Sequence, residues 1–101
     1  MSDSYRKNDG KPKIHFILEA RDALEGASMV LEYGAEKYSR GSWKTGLPVT
    51  ETIDSLLRHL MAYLDGEDTD PESGLPHVDH VTANALFLAT HSRDSTLDDR
   101  L

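Results

Sequence analysis

Apolar residues recur along this chain with the 3.6-residue period of a helix rather than the alternation of a strand. Leu24, Ala27, Leu31, Ala35 and Tyr38 form one stripe and predict a first helix over about residues 17–38, weakened by Gly26 and Gly34. Ile53, Leu56, Leu57, Leu60, Met61 and Leu64 spread over a broad face of a second helix, about 50–64, with Thr50 as its N-cap after Pro48. A third helix is predicted from about 76 to 91, with Pro76 near its first turn. The Asp-Gly, Asp-Pro and Ser-Gly steps between residues 65 and 76 are turn chemistry. Short connections imply an antiparallel bundle, so the fold class is all-α: a small bundle of three main helices. Three helices make a thin bundle, and completion by homo-oligomerisation is expected.

Outside that unit, residues 1–13 form a polar arm with Arg6, Lys7, Lys11 and Lys13, and residues 92–101 have little apolar material to anchor them. Both are expected to be flexible, leaving residues 14–91 as a single helical domain. A chain of 101 residues with 38% hydrophobic content supports one modest core. The absence of cysteine excludes thiolate zinc, a disulfide scaffold and a Cys nucleophile, and fits the cytoplasm, the host's if the chain is phage-encoded. No run is apolar enough to suggest a membrane partner. A net charge of -7, from 18 acidic against 11 basic residues, argues against duplex nucleic acid, whose affinity comes from neutralised phosphates. Free nucleotide stays open, because a metal ion can mediate between carboxylates and phosphate. No Lys or Arg occurs between Arg58 and Arg93, a stretch holding Asp65, Glu67, Asp68, Asp70, Glu72 and Asp79.

The third helix carries the first candidate chemistry. At 100° per residue, His77, His80 and Asn84 form a polar stripe between apolar flanks, and burying such groups requires partners: side chains, water, a metal or a ligand. His59, at the edge of the second helix's apolar face, either packs there or meets that stripe. Imidazoles suit borderline transition metals, and carboxylates from the first helix, where Glu25, Glu32 and Glu36 share a flank, would complete the set. Those carboxylates read equally as a solvated edge. In Lys37-Tyr38-Ser39-Arg40-Gly41-Ser42-Trp43-Lys44, bases interleave with rings that either stack a nucleobase or plug the bundle's end.

Gly34-Ala35-Glu36-Lys37-Tyr38, Trp43, Leu57-Arg58-His59-Leu60, Gly66-Glu67-Asp68 and Asp70-Pro71-Glu72-Ser73-Gly74-Leu75-Pro76-His77, with His80 and Asn84, together resemble the N-terminal domain family of phage and prophage dATP/dGTP diphosphohydrolases, over about residues 10–91. That resemblance links the chain to the MazG-like, all-α nucleotide pyrophosphohydrolases and implies a metal-dependent oligomer that cleaves purine (d)NTPs to NMP and pyrophosphate. MazG-type enzymes carry Glu-x-x-Glu and Glu-x-x-Asp pairs. Here the corresponding pairs are Glu32-x-x-x-Glu36 and His77-x-x-His80, which substitute neutral donors for carboxylates.

The assignments that follow place a divalent metal, Mg or Mn, on Glu32, Glu36, His59, His77 and His80, with Glu36 and His80 catalytic. Lys37 or Arg58 would hold phosphate, Tyr38 or Trp43 would stack the base, Asn84 would orient a ligand, and Asp70 and Glu72 would close over the site. The alternative is a non-hydrolysing phage protein that sequesters a nucleotide or nucleotide-derived signal.

Overall fold

The computed structural model describes residues 10–37 and 46–101, so Tyr38 and Trp43 lie outside the described residues, as do Arg6 and Lys7 of the arm and the side chain of Lys37. Three α-helices follow one another: α1 (Arg21–Lys37), α2 (Val49–Leu64) and α3 (His77–His91). No strand occurs among the described residues, and the chain is all-α. α3 is central and packs against both α2 and α1. α2 and α3 form a hairpin. Where α1 meets α3, Gly26 lies so close to the Asp79 carboxylate that a Cβ there would sit 2.3 Å from Oδ1. A glycine that costs helix propensity is thereby explained by close approach. No helix among the described residues is long and apolar enough to cross a membrane.

Two helix starts differ from the sequence expectation. Residues Ile14–Ala20 form a 3-10 helix with no buried side chain, and the α-helical hydrogen bonding begins only at Arg21. Packing stabilises most helices, and this segment has little of it. α2 begins at Val49 with Pro48 at the cap position and no capping side chain. Thr50, expected to cap, lies inside the first turn. Its amide and hydroxyl both donate to the Asp99 carboxylate, the amide at 2.9 Å. An acceptor from the other end of the chain satisfies a helix-start N–H that local sequence leaves open. Around Asp99, residues 92–101 hold a short 3-10 turn, Ser95–Leu97, capped by the Asp94 side chain.

The interior is small and polar. Ala27 and Val30 of α1, Val49 of α2 and Ala83 of α3 are the buried apolar residues among those described, beside buried Thr52, His77, His80, Asn84 and His91. The α3 members of both groups fall on one face, so the histidine stripe is the centre of what α3 buries. Val78, the apolar residue next to His77, is exposed.

α2 ends in a Schellman motif. Gly66 donates to the Tyr63 carbonyl and Glu67 to the Ala62 carbonyl, both at 3.0 Å, with Gly66 at φ +98. Nothing lies within 4 Å of where a Gly66 Cβ would stand, so Gly66→Ala meets a conformational cost alone. We expect about 1–2 kcal/mol of lost stability by urea unfolding. An unchanged midpoint would mean that this turn is not required to hold the hairpin.

Candidate functional site

The Schellman turn reverses the chain so that the following loop folds back on the start of α3. Asp68 accepts from the His77 amide at 2.9 Å, and an isolated antiparallel bridge joins Thr69 to Pro76. Within this clasp Asp70 organises a tight turn. Its carboxylate accepts from the Glu72 amide (3.3 Å), the Ser73 amide (3.2 Å) and the Ser73 hydroxyl (2.9 Å), and its backbone pairs with Leu75 and Gly74. Asp-x-x-Ser thus acts as an Asx-type turn that fixes the carboxylate before any ligand is considered.

Three elements then converge. His59 comes from α2, Asp70 from the loop and His80 from the second turn of α3, each offering a ligand atom within 4.8 Å of the others. The His59 and His80 rings stack, 4.2 Å between centroids and 4° between planes. Ser73 Oγ stands between His80 Nε2, at 2.7 Å, and Asp70 Oδ2, while the direct His80–Asp70 separation is 3.5 Å. A hydroxyl has one proton to give. Donated to Asp70, it leaves Ser73 as the acceptor for the Nε2–H of His80, so a neutral His80 keeps its lone pair on Nδ1.

Behind His59 runs a second chain of contacts. His77 Nε2 lies 2.6 Å from Glu67 Oε1, and His77 Nδ1 lies 2.8 Å from His59 Nδ1. An ionised carboxylate only accepts, so Nε2 of His77 carries the proton. With both imidazoles neutral, His77 Nδ1 must accept, His59 Nδ1 must donate, and the lone pair of His59 is left on Nε2. These tautomers are assigned from the hydrogen-bond network. They leave His59 in the form in which imidazole binds a cation.

Electrostatics favour the same state. Burial, reinforced by the neighbouring His80, holds the His59 pKa below its usual value, with Asp70 opposing. Burial also depresses the His80 pKa, against the pull of Asp70. Burial works against ionised Asp70 too, but the Ser73 hydroxyl and the Glu72 and Ser73 amides outweigh it and keep its pKa low. The donor set is therefore two neutral imidazoles and one anion. Donors about 2.1 Å from one ion stand roughly 3.0–3.6 Å apart at ordinary ligand angles, so atoms within 4.8 Å of one another close on a cation by drawing together by up to about 2 Å.

A pH dependence follows. His59 and His80 titrate near 6.5 in the unfolded chain and lower in the folded one. Between those values the unfolded chain binds protons that the folded chain declines. Stability is expected to be level above that value and to fall as pH drops below it. Thermal melts across pH 8 to 5, run without metal, check this, and His59→Gln should flatten the fall. A Tm that rises on acidification would contradict it.

The remaining candidates are placed as follows. His77 adjoins the group with both ring nitrogens engaged. Asn84 is buried one turn beyond His80 and donates to the His80 carbonyl at 2.9 Å. Arg58 is exposed on α2, and Glu72 is exposed on the loop with its amide on Asp70. Glu32 and Glu36 are exposed on α1 and do not join the group. Two participants, Glu67 and Ser73, carry no role in the sequence reading. Ser73 is detectable as the fourth residue of an Asx turn, whereas Glu67 reaches His77 only through the reversal at Gly66.

A helical hairpin that gathers two imidazoles and a carboxylate around its turn defines an all-α chain with a candidate metal-binding centre. The family described as dATP/dGTP diphosphohydrolase, N-terminal, matches residues 2–100, and the chain belongs to that family. It is similar to a dATP/dGTP diphosphohydrolase of Salmonella phage PMBT28, 33% identical over 64 residues, which are 63% of this chain and 22% of that relative. The match thus spans less than a quarter of the relative's length. No solved structure matches.

Proposed function

We propose that this chain is a metal-dependent nucleoside triphosphate pyrophosphohydrolase acting on purine deoxynucleotides, with His59, Asp70 and His80 holding the divalent cation. The convergence of those three side chains carries the reading. Family membership and the name of the phage relative support the substrate class. Two nitrogen donors with one carboxylate suit manganese better than magnesium, which prefers an all-oxygen shell. When bound, such an ion supplies Lewis-acid charge at a phosphoryl oxygen and makes water more acidic at neutral pH.

The chain's own residues do the rest. Glu67 and His77 fix the tautomer of His59. Ser73 holds a proton between Asp70 and His80. Arg58, next to His59 on α2, offers cationic charge to phosphate oxygens, while Lys37, the last residue of α1, is the proposed second phosphate contact and Tyr38 and Trp43, which follow it in sequence, are the proposed base contacts. Glu72 borders the site on the loop. Glu32 and Glu36 are left out of the ligand set, because α1 does not bring them to the histidines.

Incubation with each dNTP and manganese or magnesium tests the proposal. Expected products are the monophosphate and pyrophosphate, formed faster from dATP and dGTP than from pyrimidine substrates and faster with manganese. His80→Ala, with helical content retained, should abolish turnover. Stabilisation by dNTP without product would replace hydrolysis with sequestration, and unchanged turnover in the variant would remove His80 from the site.

A further inference from the structure

α2 carries more apolar surface than its packing uses. Val49, Thr52, Leu56 and His59 share the arc turned to α3. At 100° per residue, Leu57, Leu60, Met61 and Leu64 fall in a separate arc of about 100°. All four are exposed, Met61 at 61% and Leu64 at 82%. The charged residues Glu51, Asp54 and Arg58 occupy the remaining side, so this apolar arc is not the helix's solvent face.

The chain presents a second unburied apolar surface. Ile14, Phe16, Ile17 and Leu18 crowd the N-terminal 3-10 helix, and all four are exposed, Ile14 at 77%. That helix runs directly into α1 and buries no side chain, and the apolar arc of α2 in the same chain stays uncovered. The two surfaces match in charge as well as character. Lys11 and Lys13 lead into the 3-10 helix, and no acidic residue follows before Glu19. On the other surface, exposed Asp65 directly follows Leu64, and exposed Asp68 lies three residues further on.

We propose that the Leu57, Leu60, Met61 and Leu64 face of α2 is covered by the 3-10 helix of a second copy of this chain, with Lys11 and Lys13 of one copy against Asp65 and Asp68 of the other. Twofold symmetry makes the contact occur twice and covers both apolar surfaces of each copy. A second copy is favoured over an unrelated partner because both complementary halves are present on one chain. The inference is independent of the proposed hydrolysis.

Light scattering after size exclusion, on the full chain at tens of micromolar, reads the assembly directly. The wild-type mass is expected to be twice that of the chain. Leu60→Glu with Leu64→Glu, and separately Phe16→Glu with Ile17→Glu, should each halve it while far-UV circular dichroism stays helical, because these side chains are already exposed. Lys11→Glu with Lys13→Glu should weaken dimerisation roughly tenfold or more at low salt, and adding Asp65→Lys with Asp68→Lys should restore it. The charge pairs keep the test decisive if an apolar variant fails to fold. A monomeric wild type, or a dimer that survives the α2 substitutions, would overturn the proposal. A dimer that survives only the arm substitutions would overturn the arm as occupant.

Discussion

Asp70→Asn is expected to abolish most of the manganese-dependent rise in Tm. Asparagine keeps the shape of the turn but only one of the two acceptor oxygens that Glu72 and Ser73 use, and it removes the only anion among the three proposed ligands. At a manganese concentration about 100 times the wild-type Kd, binding contributes about 2.7 kcal/mol, whereas a variant that binds 100-fold more weakly gains about 0.4 kcal/mol. For a domain of this size those figures correspond to Tm rises of about 10–20 °C and about 2–3 °C. Asp68→Asn, on the same loop but outside the group, is the control and should respond as wild type. An undiminished shift in Asp70→Asn would place the cation elsewhere.

Ala83→Leu is expected to be the most destabilising single substitution in the interior. Ala83 has no exposed surface, lies on the face of α3 that carries His80 and Asn84, and belongs to the helix that packs on both neighbours. The larger side chain forces either α1 or α2 away, and overpacking of this kind costs about 1–3 kcal/mol. With few buried apolar residues to absorb the strain, the upper part of that range applies, a fall in Tm of about 10–20 °C. Circular dichroism melts in the absence of metal measure it, and Ala83→Gly, which leaves room rather than removing it, separates steric crowding from general sensitivity. An Ala83→Leu protein that melts like wild type would mean that the helices are not closely packed there.

The helices and the polar stripe were legible because both are periodic. Leu24, Ala27 and Leu31 mark the buried side of α1, and His77, His80 and Asn84 fall on one face of α3 whatever surrounds them. What periodicity cannot supply is which irregular residues the helices bring together. Asp70 reads as a loop acid until the Schellman turn at Gly66 folds it against His80. Glu32 and Glu36 share a flank with the right chemistry, yet both are exposed and stand outside the group formed by His59, Asp70 and His80. Thr50 carries a strong capping signal after a proline. The acceptor that competes for its amide is Asp99, and no local window contains both.

The site's hydrogen bonds also differ from the rest of the fold in how far they reach along the chain. The longest, His59 to His77, joins residues 18 apart, whereas Thr50 and Asp99 are 49 apart. Closing a short loop costs less chain entropy and occurs sooner, so the hairpin with its turn is expected to form before the C-terminal segment docks on α2. During synthesis α2, the loop and α3 leave the ribosome ahead of Asp99, so the histidines are free to meet before Asp99 docks on α2. The groups proposed to hold the cation would therefore be assembled early, and a cation captured at that stage would act as a nucleus on which the remaining packing is completed.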